Sequence, residues 1–253
     1  MKSTPVTMHR IIILLAAATL LTSCNITINT NDTDQDYGPV ETRTYALNGT
    51  YHELEVSHAF DVTMCDTVSV PTITIAADLH DRVVFLIEGG TLKIKLKKGT
   101  TAHTSEASVL LPYNPSLCDI DLSGASSFTS SSPLLAKEIS IDLTGASLFS
   151  GEIKQATKLE LDASGASTAY LSGSTAKLDI DLSGACHLDA SNFDASNVEG
   201  DMSGSSSANV LCCESLRMDV SGASHLSYRT LSDGCTPVVK CHTSGASSVT
   251  NLD

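Results

Sequence analysis

The sequence predicts an all-β protein: a right-handed parallel β-helix with about 20 residues per coil and a β-rich N-terminal cap or degenerate first coils. Three observations predict this fold. A hexapeptide of the form Asp-x-(Ser/Thr)-Gly-(Ala/Ser)-(Ser/Cys) occurs six times, and a seventh copy has His242 in place of the aspartate. The glycines of successive copies are 18 to 23 residues apart. The residues before each glycine alternate between apolar and polar.

Each copy of the repeat predicts a strand, a corner and a second strand. In the third copy, Leu159 and Leu161 are apolar while Glu160 and Asp162 are polar, which is typical of a strand with one buried face. A second apolar column four residues after the glycine predicts the second strand. Strands that recur at this short interval in one direction must pair in parallel without crossover helices, and such connections are generally right-handed. An antiparallel sandwich is the alternative, but it does not naturally give this constant period.

The glycines are predicted to form the corners of the coils. A glycine can adopt positive φ and turn the chain sharply, and the small residue after it can stack on its copy in the next coil. The predicted corners are Gly124, Gly145, Gly165, Gly184, Gly204, Gly222 and Gly245.

The N-terminus predicts export. Residues 1–23 combine basic Lys2 and Arg10 with an apolar run that is short for a membrane span, as in a secretory signal. The sequence Leu-Thr-Ser before Cys24 resembles the bacterial lipobox, so Cys24 is the predicted lipidation site. Because Asn25 follows, we expect the outer membrane, on its periplasmic or cell-surface face, rather than inner-membrane retention. Residues 24–40 are polar and predict a disordered tether.

Two β-rich segments follow the tether. Residues 41–115 contain strand candidates such as Leu54–Val56, Ile73–Ile75 and Leu92–Leu96 but lack the Gly-Ala-Ser corner. We interpret them as degenerate first coils or as a cap over the end of the solenoid. Residues 116–253 hold the repeat coils, and we expect residues 41–253 to form one continuous domain.

The order of these features is similar to that in a known bacterial family. The lipoprotein signal, the segment Phe60-Asp-Val-Thr-Met, the run Gly90-Thr-Leu-Lys-Ile and the Leu-Ser-Gly-Ala-Ser repeat resemble the family named putative auto-transporter adhesin, head GIN domain. The resemblance covers about Tyr45 to Tyr228. It implies a β-helical cell-envelope protein with an adhesin-like role, and no catalytic residues come with it.

Charge narrows the range of partners. Without residues 1–23 the chain holds 13 basic against 29 acidic residues, a formal net charge of −16. This balance argues against nucleic acid and leaves a glycan, a protein, a divalent cation or a second copy of the chain as partners. Self-association is a possible use of the unpaired strand edges at the end of a β-helix.

The aspartate column is the candidate site. Stacked carboxylates about 4.8 Å apart repel by roughly 1 kcal/mol per neighbouring pair even at the dielectric constant of water. Hydrogen bonds from the Ser/Thr column and corner amides, raised pKa values or bound cations must offset this repulsion. We interpret the column as a structural ladder and leave calcium open; no other cofactor and no other metal is predicted. Its members are Asp121, Asp142, Asp162, Asp181, Asp201 and Asp219.

A carbohydrate-active enzyme is the alternative function, because carboxyls one coil apart approach the roughly 5 Å separation found in retaining glycosidases. Every coil carries the same aspartate, however, so no pair is distinguished, and with no Trp and 4% aromatic residues the platforms for sugar stacking are scarce. We therefore predict a non-enzymatic binding protein. Among the cysteines after Cys24, the one pairing we consider is Cys212 or Cys213 with Cys235.

Overall fold

A computed structural model shows a solenoid of about seven turns in which parallel strands stack about 20 residues apart along the chain. The structure describes residues 37–100, 107–231 and 234–253. The predicted signal peptide, Cys24 and residues 25–36 of the predicted tether lie outside the described residues. The chain from Tyr37 to Asp253 forms one compact unit. The predicted all-β parallel β-helix is confirmed.

The described residues form strands and one short 3-10 helix, Ala77–Arg82. The strands are β1 Val40–Thr44, β2 Glu53–Val56, β3 Asp61–Cys65, β4 Thr72–Ala76, β5 Val83–Glu88, β6 Thr91–Leu96, β7 Ser108–Pro112, β8 Asp119–Leu122, β9 Ser127–Ser130, β10 Glu138–Leu143, β11 Leu148–Ala163, β12 Thr168–Leu182, β13 His187–Met202, β14 Ser207–Val220, β15 His225–Thr230, β16 Val238–Thr243 and β17 Ser248–Asn251. Among the described residues, no helix has the length and apolar character needed to cross a membrane.

The strands stack into two walls that meet at the glycine corners. The pre-corner sheet contains β5, β6, β2, β8 and β10, then the C-terminal halves of β11 to β14, and β16. The post-corner sheet contains β1, β4, β7, β3 and β9, then the N-terminal halves of β11 to β14, then β15 and β17. The apolar columns of both sheets face each other and form one continuous core.

The segment before the repeats contains both coils and a cap. Strands β2 and β3 run parallel to β8 and β9, so they form a true coil, in which His58 takes the corner position with φ of 68°. Strands β6 and β7 stack on the other side of β2 and β3, and thus lie outside them although they come later in the chain. Strands β1 and β5 close this end by antiparallel pairing with β4 and β6.

The corners confirm why glycine recurs. All seven repeat glycines have φ between +73° and +91°, a region that L side chains rarely adopt. From Gly145 onward, a Cβ would also lie less than 3.0 Å from the carbonyl oxygen of the preceding corner glycine. That oxygen accepts a hydrogen bond from the residue after the next glycine, as from Ala166 N–H to Gly145 at 2.7 Å. Corner backbones therefore stack too closely for any side chain between them.

Small polar side chains close each corner from inside the core. Ser126, Ser167 and Ser206 are fully buried, two residues after their glycines. Each hydroxyl donates to the carbonyl oxygen three residues earlier, at 2.8 Å to 3.0 Å. Cys186 takes the same position and its thiol approaches Ser183 O at 3.1 Å. These contacts satisfy buried hydroxyls within the corner itself.

The last coil differs from the coils before it. Val239 is 40% exposed, whereas Leu216, the residue in register with it on β14, is fully buried. Within the described residues, β16 and β17 each pair along one edge only. A disulfide joins Cys213 to Cys235, while Cys212 is a buried free thiol. The bond ties the segment after β15 to β14.

Candidate functional site

The six predicted aspartates lie in register on adjacent strands of the pre-corner sheet. Their side chains point outward and are exposed or half-buried. With adjacent strands about 4.8 Å apart, they form an acidic column along the solenoid. The register pairs are Asp121–Asp142, Asp142–Asp162, Asp162–Asp181, Asp181–Asp201 and Asp201–Asp219.

The column extends by one carboxylate beyond the repeats, with a lysine beside that carboxylate and a histidine at the other end. Glu55 of β2 is in register with Asp121, and its carboxylate contacts Lys95 Nζ at 2.6 Å. At the other end, His242 is in register with Asp219. Glu55 was not recognisable as a member of the column from the sequence, because its coil lacks the glycine that marks the other corners.

A second acidic column runs beside the first, two residues earlier in each strand. Its members include Asp119, Glu160, Asp179 and Glu199. Lys177 contacts two members of this column: its Nζ lies 3.4 Å from Asp179 and also contacts Glu199. Lys158 contacts a third, Glu160. Together the two columns form what we call the acidic face.

The hydroxyl groups next to the aspartates do not donate hydrogen bonds to the aspartate carboxylates. Ser123 and Ser221 donate to carbonyl oxygens of the preceding coil, at 3.4 Å and 3.3 Å. Within the described residues, none of the six aspartates takes part in a side-chain hydrogen bond or an ion pair. Hydrogen bonding from the Ser/Thr column, one of the three ways we considered to offset their repulsion, is therefore not used.

Partial burial and like charge raise the pKa of several of these carboxylates. Partial burial, followed by the charges of neighbouring carboxylates, raises the pKa of Asp121, Asp142, Asp162 and Asp181. Asp119 of the second column behaves in the same way, with burial first and Glu53 next. Each of these groups holds its proton to a higher pH than an isolated aspartate does.

The acidic face presents repeated carboxylates rather than one distinguished pair. A groove of about 430 Å³ runs along Asp142, Asp162 and Asp181 and is open to solvent. In the part of the chain that the structure describes, no cluster of three or more His, Cys, Asp or Glu side chains is arranged to hold a metal ion. Loose cation binding between neighbouring carboxylates would be chemically reasonable, since calcium accepts carboxylate oxygens.

The outward face of the post-corner sheet has a different chemistry. One of its columns carries Thr129, Ser150, Tyr170, Asp189 and Asn209 at successive coils. Histidines in the column beside it contact serines of the next coil: His187 Nδ1 lies 2.8 Å from Ser207 Oγ, and His225 Nδ1 lies 2.7 Å from Ser248 Oγ. Hydroxyls, amides and imidazoles predominate on this face, which we call the hydroxyl face.

Tyr170 is the functional candidate that the sequence analysis did not single out. Its side chain is 44% exposed, and no other Phe or Tyr among the described residues is exposed to this extent. The ring meets His187 edge to face, with centroids 6.3 Å apart. The five phenylalanines, in contrast, are buried or packed against the core.

The comparison with known families agrees with the repeat, the corners and the order of segments. The model of the family described as putative auto-transporter adhesin, head GIN domain matches residues 50–230. The chain belongs to this family. Membership supports a non-enzymatic adhesin or binding role and a cell-envelope or surface location. None of the curated proteins matches the sequence.

Solved structures share the fold at low sequence identity. A putative adhesin from Bacteroides fragilis NCTC 9343 aligns with a TM-score of 0.69 and 16% identity, covering 85% of this chain and 97% of its own. A putative adhesin from Parabacteroides merdae ATCC 43184 gives 0.62 and 19%, covering 85% and 97%. A putative lipid binding protein from Parabacteroides distasonis ATCC 8503 gives 0.60 and 22%, covering 85% and 98%. At these identities the likeness shows the fold alone.

Proposed function

We propose that the protein is a lipid-anchored, non-enzymatic adhesin of the cell envelope that binds a glycan or protein partner along an extended face of the solenoid. The observation that carries this proposal is the registered repetition of outward side chains over successive coils. Such a surface offers many equivalent contacts to an extended partner, whereas catalysis requires one unique arrangement of groups. Membership of an adhesin family supports the same conclusion.

An adhesion assay tests the proposal. Beads coated with the non-lipidated mature chain, residues 25–253, are applied to surfaces carrying immobilised glycans or extracellular proteins. We expect retention on at least one surface and none for beads coated with heat-unfolded protein. Equal retention of both kinds of bead on every surface would contradict a folded binding face.

The alternative, a carbohydrate-active enzyme, predicts a different result in a mutational series. Asp142→Asn, Asp162→Asn and Asp181→Asn are each assayed for release of reducing sugar from polysaccharides. If two aspartates form a catalytic pair, substitution at that coil should abolish nearly all turnover. If the column is a structural ladder, every substitution should cause a small and similar change in stability. We expect no release of reducing sugar by the wild type or by any of the three variants.

The anchoring at Cys24 is a separate part of the proposal. It is supported by the lipobox-like Leu-Thr-Ser-Cys sequence and by the polar segment that follows. Cells fed an alkyne-labelled fatty acid should label the wild-type protein in the outer-membrane fraction, and Cys24→Ser should abolish the label. A labelled Cys24→Ser protein, or an unlabelled wild type, would refute lipidation at this residue.

We also propose that the acidic face binds calcium, because the carboxylates of Asp142, Asp162 and Asp181 have no ion pair or side-chain hydrogen bond within the described residues. A thermal melt in EDTA is compared with one in millimolar calcium. A rise of several degrees that disappears in Asp162→Asn would support cation binding. Identical curves would leave the ladder without a cation.

Self-association through the last coil completes the set of partners. In the described residues, β16 and β17 have one unpaired edge each, and Val239 and Val238 are exposed beside it. Unpaired strand edges readily accept another strand. Sedimentation of the mature chain should show a dimer that Val239→Lys converts to monomer; a wild-type monomer at high concentration would exclude this contact.

A further inference from the structure

The hydroxyl face departs from the regular repeat in strand β13, after Tyr170 of the neighbouring strand β12. Between β12 and β13 the register shifts after Tyr170, which is opposite Asp189, so that Ser172 is opposite Asn192. Between β13 and β14 it shifts again, from Ala190 to Asp194. Ser191 and Asn192 thus form an exposed bulge on this face. Bulges of this kind often lie next to functional sites, where they redirect side chains.

The bulge is held in place from both sides of the sheet. Phe193 is fully buried and anchors it in the core. On the outside, Asp189 Oδ1 accepts the Ser191 N–H at 3.1 Å. Hydrogen bonds from the side chain and backbone of Ser191 lower the pKa of Asp189, so this carboxylate is ionised at neutral pH and fixed in orientation. The bulge is therefore rigid.

A groove of about 270 Å³ lies beside the bulge. The Tyr170 ring, exposed on this face, lines it together with Asp189 and Asn192 of the bulged strand. Glu152 and Ser150 line it from the coil on the other side of Tyr170. His187 packs against the edge of the tyrosine ring and is itself hydrogen-bonded to Ser207, which restricts the movement of both rings.

This set of groups matches the surface of a neutral sugar. An exposed aromatic ring offers a platform for the apolar C–H face of a pyranose, and its burial is favourable. A carboxylate, an amide and hydroxyls arranged around it can accept and donate hydrogen bonds to sugar hydroxyls, which gives orientation and specificity. Asp189 and Glu152 make the groove acidic, and Lys154 Nζ lies 2.7 Å from Glu152. Sulfated, phosphorylated or uronic-acid glycans would be repelled.

We propose that the groove at Tyr170, Asp189 and Asn192 binds a short segment of a neutral oligosaccharide. This inference rests on the proposed binding function and assigns to it a site and a ligand class. The groove is shallow and open, so a chain of sugars can pass through it and continue along the hydroxyl face. Retention of a glycan, rather than its cleavage, is the activity expected.

Saturation-transfer NMR on the mature chain tests the site. The probes are neutral cellohexaose, mannohexaose and chitohexaose, with hexagalacturonate as the anionic counterpart. We expect binding of at least one neutral hexasaccharide and none of hexagalacturonate. Tyr170→Ala should weaken binding at least about tenfold, as is usual when a central aromatic contact is removed. Tyr170→Phe, which keeps the ring, should bind within about twofold of the wild type.

Tyr228→Ala provides a control in a second groove; because Tyr228 also packs against the core, a thermal melt must show that this variant remains folded. Tyr228 lines a second groove on the other side of the bulge, together with Asn209 and Arg229. We expect Tyr228→Ala to bind the hexasaccharide like the wild type. Loss of binding in Tyr228→Ala but not in Tyr170→Ala would place the site in the second groove and overturn the assignment. Because Tyr170 is on the surface, thermal melts should show that its variants remain folded.

The adhesion assay separates failure of this inference from failure of the proposed function. If coated beads adhere but no neutral hexasaccharide binds, the glycan assignment is wrong and the adhesin proposal stands. If hexagalacturonate binds more tightly than every neutral probe, the charge argument is wrong and the assignment falls with it. If neither beads nor sugars are retained, both proposals fail.

Discussion

The two outward faces of the solenoid share one backbone and one set of corners, yet they differ in chemistry. The acidic face carries unpaired carboxylates at every coil from Asp121 to Asp219. The corresponding column of the hydroxyl face carries Thr, Ser, Tyr170, Asn and a single carboxylate, Asp189. Because side chains alternate across a strand, the inward residues can be kept apolar while the outward ones vary. The repeat therefore fixes the shape, and the outward columns determine the interactions.

The difference also affects stability. On the acidic face, like charges lie in register and the pKa of Asp162 is raised by burial, Asp142 and Glu160. On the hydroxyl face, Asp189 accepts hydrogen bonds that lower its pKa. The same residue type is thus expected to destabilise the fold on one face and to stabilise it on the other.

The largest effect should come from a change at the corner, because it disrupts both faces at once. In Gly165→Ala the new Cβ would clash with the carbonyl oxygen of Gly145, and φ is +82°. We expect a loss of at least about 3 kcal/mol in the free energy of unfolding, measured with urea. In Gly124→Ala the nearest atom is His58 N at 3.6 Å, so only the cost of positive φ remains, about 1–2 kcal/mol.

Equal losses in the two variants would show that positive φ alone explains the glycine and that the close approach of the corner backbones has no energetic effect. His58→Gly offers the reverse change at the first corner. His58 already adopts φ of 68°, and glycine should relieve that cost, provided that the contact of Ser57 Oγ with His58 Nδ1 at 2.8 Å contributes little.

Sequence was sufficient to predict the coils but not their full stacking order. Corner glycines such as Gly145 mark the coils, and the alternation in Leu159–Asp162 marks the strands. The coil of β2 and β3 was harder to recognise, because His58 occupies the glycine position. Nothing local indicates that this coil lies between β6–β7 and β8–β9, since strand order is decided by long-range packing.

The candidate sites differ in the same way. The aspartate column was predictable because one residue type recurs at one phase of the repeat. The groove at Tyr170 was not, because the bulge at Ser191 and Asn192 changes the glycine spacing only slightly: it is 20 residues from Gly184 to Gly204, against 19 in the coil before and 18 in the coil after. A difference of one or two residues lies within the variation of 18 to 23 among all the copies. An isolated tyrosine in a serine-rich column was the only available signal.

The next largest effect concerns pH. Since the folded-state pKa of five carboxylates, Asp121 and Asp162 among them, is raised above 3.8, their stabilising contribution is complete below that pH and is lost as pH rises through the folded-state values. We expect a higher Tm near pH 4.5 than at pH 7.5. Asp189 has a lowered pKa, so its contribution is opposite: below about pH 3.8 the stability that it provides is lost as the pH falls.

Salt provides the control for this pH dependence. At pH 7.5, 1 M NaCl should raise Tm toward its value at pH 4.5, because it screens repulsion between exposed carboxylates. A Tm that falls steadily from pH 7.5 to 4.5 would mean that carboxylates stabilise the fold on both faces, and the contrast between the faces would be wrong.

A smaller effect comes from the same substitution on each face. Asp162→Asn removes one charge from between Asp142 and Asp181 and should raise the free energy of unfolding at pH 7.5 by about 0.5 kcal/mol. Asp189→Asn keeps an oxygen that can accept the Ser191 N–H but loses the charge that strengthens this hydrogen bond. This substitution should therefore lower the free energy of unfolding by a similar amount. Urea titrations at pH 7.5 measure both. Changes of the same sign would contradict the difference between the two faces.

The smallest effect tests whether cations matter more on the acidic face. Lys177 contacts two carboxylates, Asp179 and Glu199, while Lys154 on the hydroxyl face contacts Glu152 alone. Lys177→Gln should cost about 0.5 kcal/mol, and Lys154→Gln less than about 0.3 kcal/mol, since exposed single pairs contribute little. In 1 M NaCl the two variants should converge. If they cost the same at low salt, Lys177 does not relieve the repulsion between Asp179 and Glu199.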